Sequence, residues 1–369
     1  MKLNVAILPG DGVGPEVTAE AEKVLHSVVT LFGHKLDTSI GLIGGSAIDE
    51  TGTALPENTL NICRNSDAIL FGAVGGPKWD SASSSTRPED GILAIRKELG
   101  LFANIRPVKA YNSLIHSSPL KEDRLSGVDM VIVRELTGGL YFAQPKKRWA
   151  DESGRQAVDT LLYSEKEIFR IMKVAFELAS TRKLKVTSVD KFNVLETGRL
   201  WREIATEVSS DYPDIDLEHM LVDNAAMQLV RAPAKFDVIV SENTFGDILS
   251  DEASVLTGSM GMLPSASLSG SISESAASSK ASLYEPIHGS APDIQGKGVA
   301  NPIAAILSVA MMLRYSFDLR EEAEVIELAV QDTLDSQYRT PDLATDKSIV
   351  VSTSEMGLQI TNRINKTTN

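Results

Sequence analysis

Short apolar segments that alternate with helical patterns constrain the fold of this chain more than any other feature. Apolar runs predict strands at 5–8, 68–71, 130–133, 185–189, 220–222 and 238–240. The apolar spacing of a helix begins near Val17 and recurs over 168–178, and the run at 303–313 predicts a buried helix. Such alternation is typical of an α/β protein with a largely parallel sheet.

Composition limits the kind of protein further. At roughly 150 residues per domain, the 369 residues correspond to two domains or one large α/β domain. The chain has 50 acidic and 36 basic residues, a formal charge of −14. This argues against binding to nucleic acid, which needs a basic face. An anionic substrate would require a local basic cluster.

The single cysteine, Cys63, excludes an internal disulfide framework and a cysteine-based zinc site. No apolar run approaches the roughly 18 residues of a membrane span, so no membrane partner is expected. The apolar N-terminal segment is broken at Pro9, too early for the core of a signal peptide. We therefore expect a cytoplasmic protein, and a mature organellar protein that has lost a transit peptide is the alternative that the sequence leaves open.

The glycine-rich and serine-rich stretches mainly show which motifs the sequence lacks. Gly10, Gly12 and Gly14 follow the first predicted strand, but Pro15 occupies the position where a dinucleotide fingerprint needs glycine. A tight turn is expected there instead of a Rossmann phosphate loop. P-loop and nucleophile-elbow motifs are absent from the sequence. The Ser/Ala-rich stretch 265–282 has no periodicity and is predicted to be a mobile surface loop.

Charged residues follow several predicted strands, at the end where ligands bind in open α/β sheets. These residues are Arg134, Lys191, Asp223 and Asp247. Each one alone is also explained by the ordinary polarity of loops. Several such ends that carry both charge signs favour a ligand site.

Two of the acidic residues, Asp247 and Asp251, are four positions apart. On a helix both carboxylates face the same way, with Cβ atoms about 5–6 Å apart. A hard divalent cation such as Mg²⁺ or Mn²⁺ would relieve their repulsion and accept oxygen ligands. The residues alone leave another interpretation open, in which Asp247 caps the helix and Asp251 is a solvated acid of its first turn.

Arg96, Arg106 and Arg134 are candidates for binding a small polycarboxylate, because guanidinium groups bind carboxylates in bidentate fashion. Ordinary surface ion pairing is the alternative. Tyr141 follows two glycines that would let a ligand approach the backbone. A tyrosine and a lysine can act as acid and base, but Tyr141 alone is equally explained as a core aromatic residue.

Six segments in order resemble the family of decarboxylating dehydrogenases that includes isopropylmalate and isocitrate dehydrogenases. The resemblance runs from Val5 to about Met356. The segments are LPGDGVGPEV (8–17), GAVGGPKW (72–79), VRELTGGLYF (133–142), SVDKFNVL (188–195), NTFGDILSDE (243–252) and EPIHGSAPDIQGKGVANP (285–302). The chain departs from the family pattern at Gly198, where serine is more usual.

The resemblance implies the family's own two-domain α/β fold, with a largely parallel sheet, and not a Rossmann fold. Residues 1–104 plus 258–369 would form the cofactor-binding domain, and residues 105–257 the domain for substrate, metal and dimerisation. It also implies a homodimer with shared sites, in which Lys191 and Asp223 reach the site of the partner subunit.

The resemblance assigns roles to individual residues. The arginines Arg96, Arg106 and Arg134 would hold the malate carboxylates, and Tyr141 and Lys191 would be the acid–base pair. Asp223, Asp247 and Asp251 would bind the divalent metal, with Asp223 also close to the substrate. The residues that would bind NAD are Gly76, Glu89, His288, Gly289, Ser290, Ala291, Asp293 and Asn301. A carboxylate at Asp293 would favour NAD over NADP, because it repels a 2′-phosphate.

The implied reaction is oxidation and decarboxylation of (2R,3S)-3-isopropylmalate to 4-methyl-2-oxopentanoate in leucine biosynthesis. Glu89, Ile92, Leu93 and the partner's Val194 would contact the isopropyl group. A second carboxylate would be poorly solvated there. One of the adjacent residues Ile92 and Leu93 can also be a core residue that faces away. Alternatives are a sibling enzyme acting on isocitrate, homoisocitrate or tartrate and, more remotely, a non-catalytic regulatory subunit.

Overall fold

A mixed β-sheet forms the centre of the protein. The computed structural model describes residues 1–79, 86–272 and 281–366. Within these ranges ten strands form one sheet. In spatial order they are Lys35–Ile40 (β2), Lys2–Gly10 (β1), Ala68–Ala73 (β3), Ser282–Pro286 (β12), Pro264–Leu268 (β11), Ala103–Lys109 (β4), Asp129–Glu135 (β5), Val238–Ser241 (β10), Lys185–Asp190 (β8) and Asp216–Leu221 (β9).

The two flanks of the sheet are parallel and its centre is antiparallel. Strand β11 runs antiparallel to β12 and β4, and β4 runs antiparallel to β5. The other six strand pairs are parallel. A Rossmann sheet is parallel throughout its core, so this topology agrees with the missing glycine fingerprint. The expected domain boundary at 104/105 falls within β4.

Helices cover the sheet. They are Gly14–Leu31 (α1), Gly45–Thr51 (α2), Glu57–Arg64 (α3), Glu89–Leu99 (α4), Glu122–Leu125 (α5), Glu165–Ser180 (α6), Glu196–Ser209 (α7), Val222–Arg231 (α8), Asn243–Ser254 (α9), Ile303–Ser316 (α10), Arg320–Asp335 (α11) and Thr353–Ile364 (α12). Helices α6 and α12 each begin with a capping box. None of these helices is long and apolar enough to cross a membrane.

Two small strand pairs lie outside the main sheet. Lys147–Asp151 (β6) and Gly154–Val158 (β7) form an antiparallel hairpin whose residues are mostly exposed. Tyr338–Arg339 (β13) pairs in parallel with Ile349–Val350 (β14).

All six predicted strand segments lie in strands of the sheet, with one boundary difference. Strand β9 ends at Leu221, and Val222 is already the first residue of α8. The helix predicted over 303–313 is confirmed as α10, whose residues Ile303 to Leu313 are all buried. This helix packs against α1 and α11 and against the central strands β11 and β12.

The prediction of a surface loop over 265–282 is wrong for both ends of that stretch. Residues 264–268 form the buried strand β11 in the middle of the sheet, and Ser282 begins the buried strand β12. Small side chains suit this position, because α10 packs closely over β11. Ala266 and Leu268 alternate with Ser265 and Ser267, and the serine hydroxyls accept hydrogen bonds from Asn104. Residues 273–280 lie outside the described ranges.

Candidate active site

A cluster of arginines and aspartates lies where β4, β5 and α9 meet. Asn104 on β4 is directly opposite Arg134 on β5. Alternate residues of a strand share a face, so Arg106 emerges on the same side as Asn104 and Arg134. This register brings two of the predicted substrate arginines together beneath the first turns of α9.

Arg134 is buried and strongly oriented. Its Nε donates to the carbonyl oxygen of Asn243 at 3.0 Å and to Asn243 Oδ1 at 3.2 Å, and its Nη2 donates to the same Oδ1 at 2.9 Å. Its Nη1 donates to Asp247. Burial and the nearby charge of Arg106 lower the pKa of Arg134 to about 10. The cation is therefore only partly offset by the protein, which suits an anion site.

Arg106 is held in a similar way. Its Nε donates to Asn104 Oδ1 at 2.6 Å and its Nη1 donates to the Ser250 hydroxyl at 2.6 Å. Its terminal nitrogens lie 3.7 Å from carboxylate oxygens of Asp247 and Asp251. Burial lowers the pKa of Arg106.

Arg96 on α4 completes the set of arginines but has a different partner. Its Nη2 donates to Glu285 on β12 at 3.0 Å, and its Nε is buried without a hydrogen-bond partner. The charge of Arg96 lowers the pKa of both Arg106 and Arg134. The three cations therefore lie close enough to act on one anionic ligand.

Asp247 and Asp251 lie on α9, one helical turn apart. Glu242 caps this helix by accepting a hydrogen bond from the Phe245 amide at 2.7 Å, so the interpretation of Asp247 as the cap is wrong. Burial and the charge of Asp247 raise the pKa of Asp251. No group of three or more potential metal ligands occurs among the described residues of this single chain. Two like charges with oxygen donors suit part of the ligand set of a hard divalent cation.

Tyr141 lies at the open edge of the cluster. Its hydroxyl donates to Asp247 Oδ2 at 3.2 Å, and the Arg134 guanidinium carbon lies 5.8 Å from the ring centroid. The residue is 39% exposed, which excludes the core-aromatic interpretation. Burial and the charge of Asp247 raise the pKa of Tyr141. Its hydroxyl therefore stays protonated at neutral pH and suits a proton donor.

Lys191 and Asp223 form a separate pair. Lys191 Nζ donates to Asp223 Oδ1 at 2.7 Å, and this hydrogen bond lowers the pKa of Asp223. Among the described residues, no hydrogen bond or ion pair joins this pair to Asp247 or Tyr141. The Asp223 carboxylate is exposed, so it is available to a second molecule.

The backbone at Lys191 is closely packed by α7. A Cβ atom added to Gly198 would lie 2.8 Å from the Lys191 carbonyl carbon and 2.8 Å from the Phe192 nitrogen. Contacts this short do not occur with real side chains, so the absence of a side chain at Gly198 allows this approach.

The structure separates the residues predicted to contact the substrate substituent. Ile92 on α4 is buried in a hydrophobic cluster, as the core alternative anticipated for one of the pair, whereas Leu93 is half-buried. Glu89 begins the same helix near Gly75, where an added Cβ would lie 3.0 Å from Glu89 Oε1. Val194 lies in the turn after β8 and is 66% exposed.

On the cofactor side, the turn after β1 holds the loop 288–301. The Val13 amide donates to the Ser290 carbonyl oxygen at 2.8 Å. Gly12 has a φ of +61°, and a Cβ there would lie 1.9 Å from the same oxygen. Glu16 accepts hydrogen bonds from the amides of Gly296 and Gly298. The glycine-rich turn thus supports another loop, which explains why it lacks the phosphate fingerprint.

This loop lines a cleft of about 180 Å³. Among the residues of its wall are Val13, Met260, His288, Ala291, Ile294 and Asn301. His288 Nδ1 lies 2.9 Å from the Gly289 carbonyl oxygen, whereas its buried Nε2 has no hydrogen-bond partner among the described residues. Burial lowers the pKa of His288. A neutral imidazole with an unsatisfied nitrogen fits a polar ligand in this cleft. Gly76, Gly289 and Asp293 lie outside this wall, and Gly289 and Asp293 are exposed.

Sequence reasoning missed the residues that support the arginines. Asn104, Asn243, Ser250 and Glu285 hydrogen-bond to the three guanidinium groups. Tyr163 accepts a hydrogen bond from the Asn243 amide at 2.9 Å. For Asn243 a signal was available, since it stands between a predicted strand and the Asp247 helix. Ser250 and Glu285 also lie in the quoted segments 243–252 and 285–302, whereas Asn104 and Tyr163 are ordinary positions outside those segments.

The site combines clustered arginines, paired aspartates and a tyrosine on a mixed α/β sheet. This combination is typical of enzymes that act on small carboxylates. The family model of isocitrate/isopropylmalate dehydrogenase matches residues 4–360. The chain therefore belongs to the isocitrate/isopropylmalate dehydrogenase family, which confirms the resemblance and the fold.

Curated relatives and solved structures agree. The chain is 62% identical over 352 residues to the 3-isopropylmalate dehydrogenase of Geobacillus kaustophilus, covering 95% of this chain and 93% of the relative. It is 53% identical over 355 residues to that of Aquifex aeolicus, covering 96% and 95%. The crystal structure of isocitrate dehydrogenase from Methylococcus capsulatus superimposes with a TM-score of 0.84 at 34% identity, covering 98% and 99% of the two chains.

Proposed function

We propose that this protein oxidises and decarboxylates 3-isopropylmalate with NAD and a divalent cation, in leucine biosynthesis. The observation that carries the proposal is the convergence of Arg106, Arg134 and Tyr141 on Asp247, with Arg96 close by. The high identity to 3-isopropylmalate dehydrogenases over nearly the whole chain supports this choice of substrate.

The arginines would bind the two carboxylates of the malate core. Asp247 and Asp251 partly offset the arginine charges. A divalent cation would bind these two carboxylates. Metal binding would therefore leave the guanidinium groups to the substrate.

Acid and base would come from the two separate clusters. The partner subunit's Lys191 would take the hydroxyl proton as hydride leaves for the nicotinamide ring, and Tyr141 would protonate the carbon that has lost CO₂. The raised pKa of Tyr141 keeps this proton in place at neutral pH. A divalent cation bound by Asp247, Asp251 and the partner subunit's Asp223 would supply positive charge at the carbonyl oxygen and stabilise the enolate.

The same separation supports the proposal of a homodimer with shared sites. Lys191 and Asp223 pair with one another on the surface, outside the Tyr141–Asp247 cluster. Helices α8 and α9 pack together and carry several exposed apolar side chains, among them Met227, Val230 and Ile248. Exposed apolar patches of this kind mark contact surfaces between proteins. A second copy of the chain would cover them and bring its own Lys191 and Asp223.

The cofactor site is proposed at the cleft beside loop 288–301. His288 Nε2 is an unsatisfied buried donor or acceptor there, and exposed Asp293 is available to accept hydrogen bonds from ribose hydroxyl groups. A carboxylate at this point favours NAD over NADP.

We further propose that residues 1–104 plus 258–369 act as the cofactor domain and that residues 105–257 act as the substrate and dimer domain. We also propose that the enzyme works in the cytoplasm.

A spectrophotometric assay of NADH formation tests the proposal. The assay compares 3-isopropylmalate with isocitrate, with and without Mg²⁺, and NAD with NADP. We expect specificity for 3-isopropylmalate to exceed that for isocitrate by at least about two orders of magnitude, because an unpaired carboxylate would face Leu93 and Glu89. Equal efficiency with isocitrate would contradict the assignment, as would equal use of both cofactors.

A further inference from the structure

Two of the three site arginines are held by asparagine side chains. Asn104 Oδ1 accepts from Arg106 Nε at 2.6 Å, and Asn243 Oδ1 accepts from Arg134 Nε at 3.2 Å and from its Nη2 at 2.9 Å. The asparagines are 0% and 1% exposed, respectively. A neutral amide orients a guanidinium group without offsetting its charge.

The opposite end of each amide is also used. Asn104 Nδ2 donates to the Ala266 carbonyl oxygen at 3.3 Å and to two serine hydroxyls of β11. Asn243 Nδ2 donates to the Gly138 carbonyl oxygen at 3.3 Å, in the loop that leads to Tyr141. These positions need a group that accepts on one side and donates on the other. A carboxylate of the same shape has no donor for these carbonyl oxygens.

Arg96 provides a comparison within the same site. It is paired with the buried carboxylate of Glu285, and its Nε has no partner. Glu285 thus offsets the charge of Arg96 with a carboxylate that is not a proposed metal ligand, whereas Arg106 and Arg134 pair with Asp247, which is one. The difference separates two ways of holding a substrate arginine.

We propose that Asn104 and Asn243 are positioning residues that hold Arg106 and Arg134 by the Nε side while leaving their positive charge for the substrate carboxylates. The inference rests on the proposed function, because it takes the dicarboxylate core of the substrate as the ligand. Nη2 of Arg106 and Nη1 of Arg134 face Asp247. In each arginine the nitrogen that faces Asp247 is therefore one that the asparagine does not bind.

The substitutions Asn104→Asp and Asn243→Asp test the proposal, because each keeps the shape and the acceptor but adds a charge and removes the donor. The added carboxylate offsets the guanidinium charge that the substrate carboxylates need, so KM for 3-isopropylmalate should rise at least about ten-fold in each variant. The value of kcat should change by less than about three-fold, and KM for NAD should not change, since the lost interaction serves substrate binding.

Controls separate this effect from unfolding and from net charge. Asn61→Asp on the exposed surface of α3 adds the same charge away from the site and should leave KM unchanged. Thermal unfolding shows whether each variant is folded. If an aspartate variant does not fold, the neutral variants Asn104→Ser and Asn243→Ser, whose shorter side chains do not reach the guanidinium groups, should still raise KM.

Folded aspartate variants whose KM stays within about two-fold of the wild type would overturn the proposal. So would a loss of kcat without a change in KM, because it would assign the amides to the Tyr141 loop alone. An inactive wild-type protein would instead contradict the proposed function. In that case calorimetric binding of malate, which carries the shared carboxylates, provides the readout, and unchanged malate affinity in the variants would overturn the inference.

Discussion

The two clusters of candidate catalytic residues differ in their burial and in the number of charged groups that they bring together. The cluster around Asp247 is partly buried, and Asp247 is linked by hydrogen bonds to Arg134 and Tyr141 and by an ion pair to Arg106. The Lys191–Asp223 pair is exposed and its two members bond to each other. The first cluster has the charges of a binding site, whereas in the second Lys191 lies beside a small cavity and the reactive Asp223 carboxylate is exposed. The comparison supports the proposal that the chain carries two parts of one site, which would meet in a dimer.

The largest effect is expected from Asp247→Asn, because this carboxylate contacts two arginines and Tyr141 and is a proposed metal ligand. We expect kcat to fall on the order of 10³-fold, with weakened dependence on Mg²⁺. Steady-state kinetics across a Mg²⁺ titration measure both. Glu252→Gln, a half-buried position on the same helix, is the matched control. Near-normal kcat and metal response in Asp247→Asn would contradict the central role assigned to Asp247 in the first cluster.

The division of the site between subunits is tested by mixing two inactive proteins. Lys191→Ala disables the exposed pair and Tyr141→Phe disables the buried cluster. Refolded together, half of the dimers should be mixed, and each mixed dimer should contain one intact site, so about a quarter of wild-type activity should return. Native mass spectrometry confirms the mixed dimers. If they form and activity does not return, each site is built within one chain.

Tyr141→Phe should also separate the partial reactions. Loss of the proton donor should slow protonation of the carbon left by CO₂ by about 10²-fold or more while oxidation is better preserved. Because burial and Asp247 raise the pKa of Tyr141, the wild-type enzyme should keep this donor protonated to a pH above the ordinary tyrosine value of about 10. The alkaline fall in kcat that belongs to this group should disappear in the phenylalanine variant. Equal loss of NADH formation and product protonation would contradict the assignment.

The smallest effect is expected at the exposed pair, from Gly198→Ser. The new Cβ would lie within 2.8 Å of the backbone at Lys191, so α7 or that turn must shift. We expect a loss of stability of about 1–3 kcal/mol from the overpacking and a several-fold decrease in kcat. Urea unfolding and steady-state kinetics measure these changes. In Gly33→Ala the added Cβ has no described atom within 4 Å but φ is +69°, so this variant reports backbone strain without crowding and should leave kcat unchanged. Unchanged stability and kcat in Gly198→Ser would show that the close packing there is not needed.

Some of the site was predictable because it depends on local sequence. The spacing of Asp247 and Asp251 places both on one helix face whatever surrounds them, and strand ends mark Arg134 and Lys191 as ligand candidates. The alternation of strands and helices likewise determined the α/β class, since periodicity reflects which face is buried. The order of six motifs identified the family, which the comparisons confirm.

Only the tertiary structure decided the centre of the sheet. Strand β11 has the composition of a loop, yet it is buried because α10 covers it and Asn104 bonds to its serines. The small size of its residues is set by the space between β11 and the elements packed against it. The sequence pattern alone does not contain this spacing. The same holds for the partners of the arginines. Asn243 and Glu285 reach Arg134 and Arg96 from distant segments of the chain, and the parallel pairing of β10 with β5 places the start of α9 beside Arg134. Asn104 is only two residues from Arg106 on β4, but its contacts with β11 depend on antiparallel pairing at the centre of the sheet.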